Sequence, residues 1–409
     1  MSTEQLTLEQ GKQALGEFVK NYHTGIDLAS HPPKNVQVTD ESLLEFASSL
    51  QLTSVELERM KTAAEKVIAQ SIQSLPNANQ IGKIILSECH LCNCGRNDSG
   101  LDIVVLFRQG EDLKATATAI RKSVHAMTAA AVGRTGEKTQ QTTETSTTSH
   151  PEQTFHFEFN QVHFNLAVGH RYGVSEESNR TAIWKKIDEL DQKNQLKKTH
   201  LDQFAIELYE SMTLFMNNQV APEQAGTSPE SEKFLQASLR LARAWRQCFM
   251  SSRDVQFAPI DAWLVMLHAV HQEISKHPEH KGTVTRTVSG IKSKLRSLLK
   301  GATGKTIAPS GLSMKNVLRN FFAELENINE LNITFSDFYD SNRIPDWIKQ
   351  QRPLILDPVC PSRNTVYNLH KHVNEDIKLH AAECVKLLDD PSTTMTKLFH
   401  FTSYKKRGA

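Results

Sequence analysis

The spacing of apolar residues predicts a first half that mixes helices with strands. From residue 54 to 74, apolar or small residues recur with a period near 3.6, which predicts an amphipathic helix capped at Thr53 or Ser54. Ile81–Leu86 and Leu101–Phe107 are short apolar runs that predict strands, the second of them buried. The helical period returns in residues 113–132.

Farther along, the alternation in Phe155–Val168 predicts a strand or hairpin, with the phenylalanines at 155, 157 and 159 on one face. Residues 133–153 have no large apolar side chain and predict a flexible loop, and residues 218–231 predict a second polar linker. From Arg180 onward the sequence is mostly helical, most clearly in residues 233–250, 259–276, 313–326 and 371–388.

This order of elements predicts an α+β fold. We expect a lobe built on a small central sheet, followed by an all-helical lobe, with the cleft between them as the default ligand site. The expected boundaries are an N-terminal arm at 1–50, the sheet-containing lobe at 51–217, the helical lobe at 218–390 and a basic tail at 391–409.

Composition restricts the partners and the compartment. The 409 residues carry a net charge of +1, from 47 basic and 46 acidic side chains, so any nucleic-acid binding needs a local basic face. Six cysteines are too few for a disulfide scaffold and favour a reducing compartment. No signal peptide and no apolar run of about 20 residues is seen, so we expect an intracellular protein, cytoplasmic or nuclear, without a membrane partner.

Four strings carry a family resemblance. In chain order they read LDIVVLF, LRLARAW, APIDAWL and RPLILDPVCP, and they begin at Leu101, Leu239, Ala258 and Arg352. Together they resemble motifs of the 2'-5'-oligoadenylate synthetases and the related cyclic GMP-AMP synthase-like receptors, over about residues 54–390. The resemblance implies a two-lobed nucleotidyltransferase.

In that family, three carboxylates hold two Mg²⁺ ions that clamp the nucleotide triphosphate and activate the attacking hydroxyl. Asp102 matches the second carboxylate position, but Gly100 occupies the first and Asn165 the third. A neutral amide supplies no charge to offset a metal ion. The resemblance therefore implies a nucleotidyltransferase fold whose catalytic triad is degraded, with Mg²⁺ as the cofactor only if catalysis survives.

Two carboxylates are candidates to replace the missing ligands. Asp98 lies four residues before Asp102, and a bulge at Gly100 would let it reach back. Glu158 is the other candidate, but we expect it on the opposite face of its strand from Asn165.

The nucleotide cleft departs from the family as well. Where the family has a Gly-Ser pair near the phosphates, this chain has Ser87 and Glu88, and a glutamate there would repel a triphosphate. Arg243 matches a basic family position near the cleft, whereas Ile260 replaces a nucleotide-contacting glutamine. Trp245, by contrast, is expected in the helical core, and Asp357 in a turn that it stabilises through an Asx-type hydrogen bond.

A group of soft metal ligands, Cys89, His90, Cys92 and Cys94, lies within six residues. Zinc favours such ligands, but structural zinc sites usually combine two separated pairs. A loop of reduced thiols remains the alternative.

Basic residues concentrate in one acid-free stretch, at Lys292, Lys294, Arg296, Lys300 and Lys305. In the family, double-stranded RNA binds a basic surface through phosphate and 2'-hydroxyl contacts. A solvated loop is the simpler alternative.

Three functional hypotheses follow. The first is a non-catalytic protein that binds double-stranded RNA or a protein partner, with a role in innate immunity or RNA-related regulation. The second is an active synthase of linear or cyclic nucleotides with a rearranged metal site. The third is a protein-interaction scaffold.

Overall fold

The computed structural model describes the sheet and the helices that surround it. The described residues are 36–51, 53–86, 101–135, 153–160, 162–193, 195–196, 201–220, 229–249, 257–276, 311–335 and 339–399.

The central sheet has four strands: β1 (Ile81–Leu86), β2 (Leu101–Arg108), β3 (Thr154–Phe159) and β4 (Val162–Arg171). Their order across the sheet is β1-β2-β4-β3. β2 and β4 are parallel, whereas β1 pairs with β2, and β3 with β4, in antiparallel fashion. The predicted strands and the predicted hairpin are confirmed.

The first lobe also contains α2 (Ser54–Val67), which continues as a π-helical turn over Ile68–Ile72, and α3 (Leu113–Thr135). Thr53 caps α2: its hydroxyl accepts a hydrogen bond from the Glu56 main-chain N–H. α2 and α3 cover one face of the sheet, whose buried residues there include Ile103, Val105 and Phe164.

Helices dominate the rest of the chain. In order they are α1 (Asp40–Ser49), which precedes α2, then α4 (Glu176–Gln192), α5 (Asp202–Glu207), α6 (Tyr209–Val220), α7 (Pro229–Phe249), α8 (Pro259–Ser275), α9 (Met314–Glu326), α10 (Asp346–Lys349), α11 (Lys371–Asp389) and α12 (Met395–Phe399). A two-strand pair, β5 (Asn332–Ile333) and β6 (Leu354–Ile355), lies between α9 and α11. The α+β class is confirmed.

Trp245 lies in the centre of the helical lobe, as predicted. It is fully buried, and its ring centroid lies 5.4 Å from that of Phe321 and 5.7 Å from that of Phe322. Its indole N–H donates to Nδ1 of His380 at 3.2 Å. Helices α7, α9 and α11 therefore meet around one aromatic group.

The two ends of the described chain differ from the predicted arm and tail. α1 packs into the helical lobe through Leu43 and Phe46, and the Val38 main-chain N–H donates to the Thr393 carbonyl at 3.0 Å. α12 is likewise buried, through Leu398 and Phe399. The sequence prediction assigned neither segment to the core, because what each one packs against depends on residues far apart in the chain.

The two predicted polar connections fall mostly outside the described residues. α3 extends to Thr135, and 136–152 is not described. Of the predicted linker 218–231, α6 includes the residues up to Val220 and α7 those from Pro229, and residues 221–228 lie outside the described residues.

The predicted Asx-type turn at Asp357 is confirmed. Asp357 is buried, and its Oδ1 accepts hydrogen bonds from the main-chain N–H groups of Val359 and Cys360, at 2.9 and 3.1 Å. Its Oδ2 lies 3.1 Å from the Arg363 guanidinium, which also contacts Asp202 at the start of α5. This turn thereby ties the C-terminal part of the chain to the start of α5.

A search of the described helices finds none long and apolar enough to cross a membrane.

The packing of α1 gives a first prediction. Replacing Phe46 with Ala removes a buried ring whose centroid lies 5.1 Å from that of Phe399, so we expect a loss of about 3–4 kcal/mol in the free energy of unfolding. Urea unfolding measures it, and exposed Glu45→Ala on the same helix is the control, expected within about 0.5 kcal/mol of wild type. Equal small effects of both substitutions would show that α1 does not belong to the core.

Asp261, in the first turn of α8, gives a second prediction. Burial raises its pKa to about 6, against the lowering effect of hydrogen bonds from the Thr365 side chain and the Ala258 main-chain N–H. The Asp261 carboxyl ionises near pH 3.9 in the unfolded chain but only near pH 6 in the folded protein. Its ionisation therefore favours unfolding as the pH rises through that window.

We therefore expect wild type to lose about 3 kcal/mol of stability relative to Asp261→Asn between about pH 4 and pH 7. Denaturant unfolding of both proteins across this range measures the difference. If the stabilities of wild type and Asp261→Asn changed with pH in parallel, the raised pKa of Asp261 would be contradicted.

Candidate functional site

The polar end of the sheet lies where β2 and β4 run side by side. Their register places Asp102 directly beside Asn165. Laterally paired residues face the same side of a sheet, and this side is the one on which Val104 packs against Tyr209, away from α2 and α3. The structure thus brings together Asp102 and Asn165, the two residues that the sequence analysis predicted for one site.

The other residues predicted near this end lie outside the described residues: Gly100, Asp98, Ser87, Glu88 and the zinc candidates Cys89, His90, Cys92 and Cys94.

Both carboxylate oxygens of Asp102 accept hydrogen bonds. The Asn165 amide Nδ2 donates to Oδ1 at 2.7 Å, and the Tyr209 hydroxyl donates to Oδ2 at 3.0 Å. The side chain is only partly exposed, so these bonds replace much of the hydration of the carboxylate. Two neutral donors therefore stabilise the negative charge of Asp102.

Tyr209 is a site residue that the sequence did not predict. It belongs to the first turn of α6 and is separated from Asp102 by 107 positions in the chain. Its ring packs against the same sheet face, beside Val104 and Ile206. No local pattern marks it, because its position depends on how α5 and α6 pack onto the sheet.

His156 on β3 extends the polar group across a third strand. Its Nδ1 lies 2.6 Å from Oδ1 of Asn165. Since Asn165 uses its amide N–H to bind Asp102, its oxygen can only accept, so Nδ1 of His156 must carry the proton. The chain of hydrogen bonds from Tyr209 to His156 thereby fixes the histidine ring and leaves its Nε2 on the exposed side.

The position predicted for Glu158 was wrong. Glu158 pairs with His163 across the hairpin, and His156 pairs with Asn165, so all four side chains lie on one face of the sheet. Side chains directly opposite in an antiparallel pair share a face, and the prediction lacked this register. Oε2 of Glu158 lies 3.8 Å from Nδ1 of His163, and both side chains are more than half exposed.

The described donors do not fit a pair of Mg²⁺ ions. Magnesium needs several hard oxygen ligands with negative charge, whereas Asp102 is flanked by an amide N–H and a hydroxyl donor. In the described part of the chain, no three His, Cys, Asp or Glu side chains form a group that could hold a metal ion.

A second polar cluster joins β4 to α5. Glu207 is buried, and its Oε1 accepts hydrogen bonds from Gln203, from the Tyr172 hydroxyl and from the His170 main-chain N–H, at 3.1, 3.3 and 3.4 Å. The His170 ring also faces this carboxylate at 3.6 Å, while its Nε2 lies 3.1 Å from the Glu111 carbonyl oxygen. The hydrogen bond with Glu207 raises the pKa of His170. This cluster fixes the end of β4 against α5.

Arg243, predicted near the nucleotide cleft, lies on α7, where its guanidinium stacks over the Trp263 ring at 5.4 Å from the centroid. Ile260 packs against the helical core.

The predicted RNA-binding residues Lys292, Lys294, Arg296, Lys300 and Lys305 lie outside the described residues.

Comparison with known proteins finds similarity in structure. No protein-family model matches the sequence, and no curated protein does. CdnC of E. coli MS115-1, solved in complex with HORMA-deltaN, superposes with a TM-score of 0.52 at 14% identity, over 89% of this chain and 97% of that one. The same protein with ATP gives 0.52 at 14% identity, over 88% and 98%.

Two polymerases are also similar. The Cid1 poly(U) polymerase with Mg 3'-dATP bound has a TM-score of 0.50 at 11% identity, over 88% of this chain and 98% of that one. mtPAP in complex with UTP has a TM-score of 0.50 at 12% identity, over 90% and 74%. At sequence identities this low, the similarity shows only the fold. This chain therefore has a nucleotidyltransferase fold.

Proposed function

We propose that this protein is a non-catalytic relative of the 2'-5'-oligoadenylate synthetases that acts by binding, with double-stranded RNA as its ligand. The nucleotidyltransferase fold itself is supported by the structural comparisons. The loss of catalysis and the RNA ligand are the proposal.

The observation that supports the loss of catalysis is the pairing of Asp102 with Asn165. If residue 165 were an aspartate, two adjacent negative charges would face the same space, and a divalent cation would relieve their repulsion. Here the amide donates to Asp102 at 2.7 Å, and Tyr209 donates at 3.0 Å. The hydrogen bonds thus take the place of the metal in balancing the carboxylate.

An active enzyme with a rearranged site is the second candidate. Asp102 and Asn165 lie side by side as two triad positions would, and the solved structures similar to this chain include complexes of CdnC with ATP and of mtPAP with UTP. Asp98, outside the described residues, and Glu158, which lies on the same face of the sheet as Asn165, are the carboxylates that this candidate would recruit.

The two candidates predict different results in a nucleotide incorporation assay. With Mg²⁺ or Mn²⁺, all four labelled nucleoside triphosphates and double-stranded RNA, we expect wild type to give no more product than Asp102→Asn. Robust product from wild type that disappears in Asp102→Asn would contradict the non-catalytic proposal and establish the second candidate.

Restoring one charge tests the role of Asn165 directly. We expect Asn165→Asp to raise the affinity for Mn²⁺ about tenfold or more, because a second carboxylate replaces an N–H donor beside Asp102. Isothermal titration calorimetry measures it. Asn160→Asp is the matched control, since Asn160 occupies the exposed turn of the same hairpin with φ 51°, a conformation that Asp tolerates. Equal Mn²⁺ affinities for the two variants would show that residue 165 does not face a cation site.

RNA binding predicts a steep dependence on salt. We expect the triple change of Lys294, Arg296 and Lys300 to Glu to weaken binding of a double-stranded RNA about tenfold or more, and to make the slope of log affinity against log salt shallower by about 2. Fluorescence anisotropy across a salt series measures both.

The control is a triple variant that makes the same change of charge by replacing three exposed lysines on α4 and α11 with Glu: Lys185, Lys378 and Lys386. It should bind as wild type does. Failure of wild type to bind RNA at low salt would exclude the RNA ligand and favour a protein partner or scaffold.

A further inference from the structure

We propose that strand β3 pairs with the β3 strand of a second copy of this chain, so that the two sheets join into one across a symmetric dimer. This proposal goes beyond the proposed function and concerns the outer edge of β3.

β3 is the last strand in the sheet order, and no other described strand pairs with its outer edge. The Val168 main-chain N–H donates to the Gln153 carbonyl, so the residue pair 153 and 168 is hydrogen-bonded. Hydrogen-bonded pairs alternate in an antiparallel ladder, so residues 155, 157 and 159 also bond to β4. The main-chain groups of His156 and Glu158 therefore point outward, and no hydrogen bond of the described residues uses them.

In the described residues, this edge lacks several of the features that prevent strands from pairing between molecules. Natural edge strands are protected by Pro, by Lys, by bulges or by being very short. The sequence of β3 is TFHFEF over six residues, without Pro or Lys, and its register with β4 is continuous. Its apolar face is already buried in its own lobe, so a second strand is needed only along the edge.

The edge is complementary to itself. An antiparallel pair of β3 strands with its two-fold axis at Phe157 aligns each His156 with Glu158 of the second copy. Both of these residues point their main-chain groups outward, so each such pair exchanges two hydrogen bonds. On the other face, Phe157 meets its own copy and Phe155 meets Phe159. Both the charge pattern and the hydrogen-bond register therefore favour a second copy over an unrelated peptide.

The dimer would also change the polar end of the sheet. His156 is fixed through its Nδ1 by Asn165, which leaves Nε2 exposed. In the paired strands, Glu158 of the second copy lies beside this ring. The partner would then add a carboxylate to the hydrogen-bonded row that begins at Tyr209 and Asp102.

Sedimentation velocity of the full chain from about 1 to 200 µM tests the proposal, because a single six-residue strand pair is a small interface and we expect micromolar association. Glu158→Lys should weaken the dimer about tenfold, since it removes the carboxylate beside His156 from both symmetric pairs at once. The charge swap His156→Glu with Glu158→Lys should restore association to within about threefold of wild type. Glu177→Lys, exposed at the start of α4, makes the same charge change elsewhere and should leave association unchanged.

Glu158→Pro is an independent variant, because it removes an outward N–H that the internal ladder does not use. It should abolish the dimer while the circular dichroism spectrum stays that of wild type. A chain that stays monomeric throughout, a dimer indifferent to Glu158→Lys and Glu158→Pro, or assemblies that grow beyond two copies would each overturn the proposal.

Discussion

The parallel pairing of β2 with β4 is the constraint on which the candidate site depends. It places residues 102 and 165 side by side on one face, so the chemical nature of residue 165 decides the electrostatics of the whole group. Two carboxylates at this distance would need a cation between them or a shifted pKa. An amide instead donates to Asp102, and this orientation in turn fixes which nitrogen of His156 carries a proton. The amide of Asn165 thus organises a hydrogen-bonded row across three strands.

The two faces of the sheet have different roles. α2 and α3 bury one face with apolar contacts, which supply most of the stability of this lobe. The opposite face packs against α5 and α6 and combines apolar contacts with polar ones, through Tyr209 at one end and Glu207 with His170 at the other. The candidate site therefore lies where the sheet meets the helices that lead into the second lobe, and its geometry depends on that packing.

A fold tolerates more change in sequence than a metal site does. At 14% identity or less, its helices and sheet still superpose on solved nucleotidyltransferase-fold structures over nearly nine tenths of the chain. Packing tolerates many exchanges of apolar residues, provided that volume and pattern are kept. Metal coordination tolerates few, because each ligand contributes specific atoms and charge. This difference explains how a chain can keep the fold while the residues at the polar end of its sheet change.

The sequence by itself determined the strands, the main helices, the buried Trp245 and the turn at Asp357, because period, apolar runs and turn chemistry are local properties. Only the tertiary structure decided that Tyr209 reaches Asp102, that Glu158 shares a face with Asn165, and that α1 belongs to the helical lobe. Each of these depends on strand register or on packing between residues far apart in the chain, and neither is encoded in a local pattern.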